Sequence, residues 1–125
     1  MAPQSGEKRS RLLLVEDYPL VRSASVRILR AAYDVTAVAS GEQALAWLQP
    51  DAFDVLLTDF RMPAMTGIEL LEIVRLREPQ MRRVLMSGAL VTGMLAYRAT
   101  GLVQAFLYKP FDLRSARSAL DPAGE

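Results

Sequence analysis

Five side chains suited to phosphoryl chemistry stand at the ends of apolar runs in this chain. Glu16 and Asp17 follow RLLLV, Asp59 follows VLLT, and Ser87 and Lys109 end two further runs. Carboxylate oxygens are ligands that Mg²⁺ accepts, while a lysine and a hydroxyl can neutralise and hydrogen-bond an incoming phosphoryl group. The set predicts phosphoryl transfer onto a carboxylate. Asp59 is the first candidate acceptor because an apolar run delivers it to the edge of a core.

Composition limits the other possibilities. The chain has 125 residues, 51% of them hydrophobic and 23% charged, which is typical of one soluble globular domain. Its formal charge of +1 gives no argument for nucleic acid or a membrane surface as a partner. There is no cysteine and no histidine, so thiolate catalysis, a Ser-His-Asp triad and histidine metal ligation are all excluded. No run reaches the ~20 apolar residues of a membrane span.

The elements that position these side chains alternate along the chain. The apolar runs predict five strands, at 11–16, 33–38, 53–58, 83–86 and 104–108. The helical patterns predict one helix from Pro19, with Val21, Ala24, Ile28 and Leu29 on one face, and four more at 40–49, 66–77, 90–99 and 112–120. Such alternation implies a parallel sheet with helices on both faces and right-handed crossovers. Ligands of such sheets bind beyond the carboxyl ends of the strands, which is where the reactive side chains fall.

With these motifs in place, the chain resembles the receiver domain of bacterial two-component response regulators. The resemblance extends over 11–120 and depends on four motifs in order, LLLVEDYP, LLTDFRMPAMTG, VLMSG and FLYKPF. It implies a single-domain, doubly wound (βα)5 flavodoxin-like fold, an α/β architecture with a parallel five-stranded sheet in the order 2-1-3-4-5. Residues 1–10 and 121–125 are expected to be tails.

The resemblance also implies the role of each site residue. Asp59 would be the phosphoacceptor, and Mg²⁺ would be held by Asp17, Glu16, Asp59 and the main-chain carbonyl of Arg61. Ser87 would hydrogen-bond a phosphoryl oxygen, and Lys109 would pair with the phosphate, or with Asp59 before phosphorylation.

Switching and partners follow from the same resemblance. Ser87 and Phe106 would be the switch residues, and helix 4, strand 5 and helix 5 would form the face that changes. Because the chain has no histidine, a histidine kinase, a histidine phosphotransfer protein or a small acyl phosphate must supply the phosphoryl group. An output domain or a second copy would bind the switching face. The domain would be cytoplasmic, would bind neither nucleic acid nor membrane directly, and would catalyse only its own phosphorylation and dephosphorylation.

Three alternatives remain open at this point. A pseudo-receiver would bind partners without phosphorylation, although all the acids are retained. A phosphatase of the haloacid dehalogenase type needs a second aspartate two residues after the nucleophile, where this chain has Arg61. A flavodoxin-like nucleotide or flavin binder needs a phosphate-binding loop after strand one, where Glu16 and Asp17 would repel phosphate.

The fourth helix departs most from the family pattern. It lacks the expected acidic residues, and Gly93 would cost ~1 kcal/mol inside a helix, which suits a movable face. Leu90, Met94 and Tyr97 are expected to divide between an interface and the core. A cis peptide is expected between Lys109 and Pro110.

Overall fold

The computed structural model describes residues 9–122, which form a five-stranded parallel sheet with five helices. The strands are β1 (Arg11–Val15), β2 (Asp34–Val38), β3 (Val55–Asp59), β4 (Arg82–Ser87) and β5 (Ala105–Tyr108). The helices are α1 (Pro19–Leu29), α2 (Gly41–Trp47), α3 (Gly67–Arg77), α4 (Met94–Ala99) and α5 (Leu113–Leu120). The strand order β2-β1-β3-β4-β5 confirms the predicted doubly wound fold. Most of the predicted N-terminal tail, and 123–125, lie outside the described residues.

Successive side chains of the central strands point to opposite faces of the sheet, so the domain has two hydrophobic cores. Leu13, Val15 and Leu56 face the side covered by α2, α3 and α4, whereas Leu12 and Leu14 face the side covered by α1 and α5. Because β3 is buried along its whole length, Asp59 at its end is carried to the edge of a packed interior. Apolar burial on both faces therefore fixes the register that delivers this carboxylate.

Side-chain caps fix the starts of three helices. Thr66 and Glu69 form a reciprocal capping box at α3, with the Thr66 hydroxyl accepting from the Glu69 amide. Ser40 caps α2 by accepting from the Gln43 amide at 3.1 Å, and Asp112 caps α5. The predicted caps at Ser40 and Thr66 are confirmed, and each satisfies amides that lack a partner inside the helix.

The fourth helix corrects the sequence-based prediction. It begins at Met94, not at Leu90, because Gly93 has φ 85° and is the N-cap. The glycine therefore lies before the helix, and the predicted cost of a helix-interior glycine does not apply. None of the α4 residues is fully buried, although Met94 and Tyr97 pack partly against the core.

Two smaller differences concern α1 and α2. Ala24, predicted on the inner face of α1, is exposed, while the neighbouring Ser25 is buried. The second helix ends at Trp47 instead of Gln49, because Leu48 has extended backbone angles and turns its side chain into the core. Among the described residues no helix has the length and apolarity to cross a bilayer.

Candidate functional site

Three carboxylates converge at the carboxyl edge of the sheet. One carboxylate oxygen from each of Glu16, Asp17 and Asp59 lies within 4.8 Å of the others. Glu16 is 1% exposed and Asp59 8% exposed, whereas Asp17 is half-buried. Since like charges at this separation repel, a nearby cation stabilises the cluster, and its hard carboxylate oxygens are ligands that could hold a metal ion such as Mg²⁺. The structure thus brings together the acids that the sequence placed at two different strand ends.

Lys109 supplies one positive charge to this cluster. Its Nζ lies 2.9 Å from Glu16 Oε1 and 3.0 Å from Asp59 Oδ1. The Lys109 backbone N–H donates to the Ser87 carbonyl at 2.9 Å, which holds the residue at the edge where β4 ends. The peptide between Lys109 and Pro110 is cis, as predicted. The lysine therefore bridges the first and third strands.

Burial and charge change the pKa of two groups in the cluster. Burial raises the pKa of Glu16, and the hydrogen bond from Lys109 opposes that rise. For Lys109, burial alone would lower the pKa, but the hydrogen bonds and charges of Glu16 and Asp59 outweigh it and leave the pKa raised. The lysine is therefore held in its charged form, while burial disfavours the charge of Glu16.

Backbone contacts hold the acidic loop between β1 and α1. Glu16 donates its N–H to the Val38 carbonyl at 3.1 Å, and its Oε2 accepts from the Tyr18 N–H at 3.1 Å. Arg22, on the first turn of α1, donates to the Glu16 carbonyl at 2.9 Å. These contacts restrict the Glu16 side chain before any ligand is bound, which reduces the ordering that binding must impose.

Gly67 is a residue of the site that the sequence analysis missed. A Cβ at this position would lie 2.2 Å from the Asp59 carbonyl oxygen and 3.0 Å from Leu85 Cδ1. Its N–H donates to the Phe60 carbonyl at 2.9 Å, so the start of α3 packs directly on the end of β3. The only signal in the sequence is a glycine directly after the Thr66 cap. Nothing in the local pattern shows the collision, because it arises from tertiary packing.

Ser87 lies at the end of β4, and its hydroxyl is engaged within its own turn. Its Oγ accepts from the Ala89 N–H at 3.1 Å. Phe106 is half-buried and packs against the core beneath α2, α3 and α4. Tyr108 is 48% exposed, and its hydroxyl lies 3.6 Å from Met94 Sδ. These contacts place one hydroxyl and two aromatic side chains on β4 and β5.

Arg61 follows two residues after Asp59, beyond the end of β3. Its side chain is exposed, and its guanidinium carbon lies 5.7 Å from the centre of the Phe60 ring. The side chain is thus directed at a neighbouring aromatic ring by a cation–π contact. Of the residues predicted for the site, Glu16, Asp17, Asp59 and Lys109 form one cluster, whereas Ser87, Arg61 and Phe106 lie on the elements around it.

The fold and the carboxylate cluster together define a class of protein. A parallel sheet in the order 2-1-3-4-5, with carboxylates and a lysine at its carboxyl edge, is that of doubly wound α/β proteins that use a strand-end carboxylate. The model of the response regulator receiver domain family matches residues 12–121. The chain belongs to this family, as its motifs predicted.

Individual relatives agree with this membership. The chain is 36% identical over 109 residues to the response regulator protein FleR of Pseudomonas aeruginosa, covering 85% of this chain and 23% of FleR. It is 34% identical to the response regulator receiver protein CpdR of Brucella abortus, covering 83% of this chain and 88% of CpdR. The chemotaxis protein CheY4 of Vibrio cholerae is similar in structure, with a TM-score of 0.78, 27% identity and coverage of 86% of this chain and 92% of CheY4.

The chain spans 17 to 27% of the length of the first curated relatives that it matches. It is a receiver domain of two-component systems, and those relatives carry sequence beyond the matched domain.

Proposed function

We propose that this domain accepts a phosphoryl group on Asp59 in a Mg²⁺-dependent reaction and transmits the change through its α4–β5–α5 face. The observation that carries the proposal is the double pairing of Lys109. One ammonium group lies within hydrogen-bonding distance of both Asp59 and Glu16, inside a cluster that still contains an unneutralised carboxylate. This is the arrangement needed to bring an anionic phosphoryl group against an anionic nucleophile.

The transfer is a displacement at phosphorus. An Asp59 carboxylate oxygen forms a bond to phosphorus as the bond from phosphorus to the donor breaks. The electron pair of that bond passes to the imidazole nitrogen of a phosphohistidine, or to the carboxylate oxygen of an acyl phosphate. The chain has no histidine, so the donor is the phosphohistidine of a separate kinase or phosphotransfer protein, or a small acyl phosphate. The nearly buried position of Asp59 limits the access of water to the product.

Other residues share the stabilisation of charge. Lys109 pairs with Asp59 before the reaction and with a phosphoryl oxygen after it, and Ser87 donates its hydroxyl to another phosphoryl oxygen. Glu16, Asp17, Asp59 and the Arg61 carbonyl would hold Mg²⁺. When bound, the metal supplies charge neutralisation to the phosphoryl oxygens. The three carboxylate donors fit this ion because hard oxygen ligands are those that Mg²⁺ prefers.

Switching would begin at Ser87. Its hydroxyl accepts from the Ala89 N–H in the unphosphorylated domain, and reaching a phosphoryl oxygen would require the turn after β4 to rearrange. Phe106 would follow inward beside it. The adjoining α4 contains no fully buried residue, so its displacement disrupts less packing than that of any helix with buried side chains. We place the whole folded unit at 11–120, with an output domain or a second copy as the reader of this face.

Phosphorylation is tested with acetyl phosphate and Mg²⁺, followed by intact-protein mass spectrometry. We expect the mass of one phosphoryl group to appear on the wild type and to be absent from Asp59→Asn. Asp54→Asn is the matched control, because Asp54 is also an aspartate near β3 but pairs with Arg11 at the opposite edge of the sheet. An adduct that persists in Asp59→Asn, or that forms equally well with the metal chelated, would refute the proposal. Steady hydrolysis of phosphoesters would instead indicate the phosphatase alternative.

A further inference from the structure

The outer side of α1 and the edge strand β2 enclose a groove lined by arginines. One cavity of about 490 Å³ is lined in part by Arg9, Arg30 and Val35, and an adjoining one of about 340 Å³ by Arg22, Arg27 and Arg30 among others. The two cavities share Val26 and Arg30, so they form one continuous depression. It runs along α1, and none of its lining residues belongs to the carboxylate cluster; Arg22, at one end, also donates to the Glu16 carbonyl.

The groove carries a concentrated positive charge. Among residues 9–122, Arg27 and Arg30 are exposed and make no salt bridge, Arg22 is half-buried and donates to the Glu16 carbonyl, and the only acid that lines either cavity is Asp34. This local excess contrasts with the formal charge of +1 for the chain. An exposed group of cations with one facing acid is complementary to an acidic partner and would accelerate its association.

The floor of the groove is an open strand edge. The Asp34 N–H donates to the Ser10 carbonyl, and the Val38 carbonyl accepts from the Glu16 N–H, so these residues of β2 direct their backbone groups toward β1. Alternation then turns the N–H and C=O groups of Val35 and Ala37 outward, where the sheet has no further strand among the described residues. The side chains of Val26, Val35 and Ala37 pack partly on the core beneath α1 and give the groove an apolar base.

We propose that this groove binds an extended segment of a partner protein that carries an acidic residue at every second position, added to the sheet beside β2. The outward N–H and C=O groups would pair with the segment's backbone. Successive side chains of a strand point to opposite faces of the sheet, so the acidic residues would all lie on the α1 side, where their carboxylates would meet Arg27 and Arg30. A peptide fits better than a nucleic acid, because a phosphodiester backbone has no donor for the outward carbonyl groups of β2. This binding is independent of phosphorylation at Asp59.

The test uses a short fluorescent peptide in which glutamate alternates with valine, with binding followed by anisotropy. The double variant Arg27→Gln/Arg30→Gln should weaken binding on the order of tenfold, since each exposed ion pair changes affinity by a few-fold. The matched control Arg98→Gln/Arg114→Gln removes the same charge from α4 and α5 and should change affinity less than twofold. Equal losses in both double variants would show an effect of net charge alone and overturn the proposal.

Two further arms examine the mode of binding. A peptide N-methylated at alternate residues keeps its charges but cannot add as a strand, so it should lose binding, and the amide signals of Val35 and Ala37 should shift in NMR spectra only with the unmodified peptide. Undiminished binding of the methylated peptide would overturn strand addition. Tighter binding of a DNA oligonucleotide than of the peptide at the same ionic strength would overturn the choice of partner. Asp59→Asn should bind the peptide as the wild type does, and loss of binding in that variant would contradict a site separate from phosphorylation.

Discussion

Replacing Lys109 by methionine isolates the energetic role of the ammonium group that pairs with Glu16 and Asp59. The change preserves most of the side-chain length but removes hydrogen bonds to Glu16 and Asp59 at 2.9 and 3.0 Å. Because Glu16 is 1% exposed, it is left as a buried carboxylate without its cation. Breaking a buried ion pair by removing one partner costs about 3–5 kcal/mol. The lysine itself is partly exposed, so we expect a loss of about 3 kcal/mol in the free energy of unfolding at neutral pH without Mg²⁺.

The pH dependence of stability tests this prediction most directly. The pKa of Glu16 is already raised by burial, and removing Lys109 removes an interaction that lowers it, so the pKa rises further in the variant. A folded state with a raised carboxyl pKa binds the proton more tightly than the unfolded chain, so stability falls as pH rises from the unfolded pKa, about 4.3, through the folded one. The loss in the free energy of unfolding caused by Lys109→Met should therefore be smaller at pH 5 than at pH 8.

The assay is urea unfolding of wild type and variant at both pH values, with and without Mg²⁺. Added Mg²⁺ should recover part of the loss, because a cation that binds only the folded carboxylate cluster stabilises it by mass action. Arg114→Met, an exposed substitution on α5, is the control and should change stability by less than about 0.5 kcal/mol. A loss in the free energy of unfolding that is equal at both pH values, or larger at pH 5, would refute the conclusion that the loss comes from the buried charge of Glu16.

The remaining predictions concern backbone packing, capping and a buried arginine. Gly67→Ala places a Cβ 2.2 Å from the Asp59 carbonyl and should cost about 3 kcal/mol in urea unfolding, whereas Gly88→Ala, with nothing within 4 Å, should be nearly neutral. Equal losses of stability in Gly67→Ala and Gly88→Ala would contradict the close approach of Gly67 to the Asp59 carbonyl. Thr66→Ala removes half of a capping box and should cost about 1 kcal/mol; Thr66→Ser should restore most of it, and a failure to do so would rule out the hydroxyl as the cause. Arg83→Met leaves the carbonyls of Gly101 and Leu102 without their 2.9 Å donors and should cost about 2 kcal/mol, with faster amide exchange in the turn before β5. Unchanged exchange there would show that the arginine does not hold this turn.

The sequence was most informative where burial acts on both faces of a strand. Apolar runs marked β1 and β3 because central parallel strands are buried throughout, and the acids at their ends could then be assigned to one edge of the sheet. The same reasoning placed Lys109, which the structure pairs with Asp59. Neither conclusion needed the family resemblance, because both follow from parallel topology.

Features that depend on three-dimensional neighbours were not predictable in this way. Gly93 looked like a weak residue inside a helix, although its left-handed backbone starts α4, and only the φ angle separates the two cases. The need for glycine at position 67 arises from the Asp59 carbonyl across the β3–α3 turn. The net charge of +1 does not reveal the arginines of α1, because acidic residues elsewhere in the chain offset them. Their significance appears only when α1 and the open edge of β2 are seen to enclose one groove.

The two surfaces proposed for this domain divide the sheet between them. The carboxylate cluster uses the carboxyl edge, where strand ends converge, and its signal would leave through Ser87 toward α4 and β5. The arginine groove uses the outer edge of β2, at the opposite side of the sheet from β5. Because β1, β3 and β4 lie between these edges as buried strands, a partner added beside β2 would not cover the switching face. The geometry therefore permits one partner to remain bound while phosphorylation controls another, without competition for the same surface.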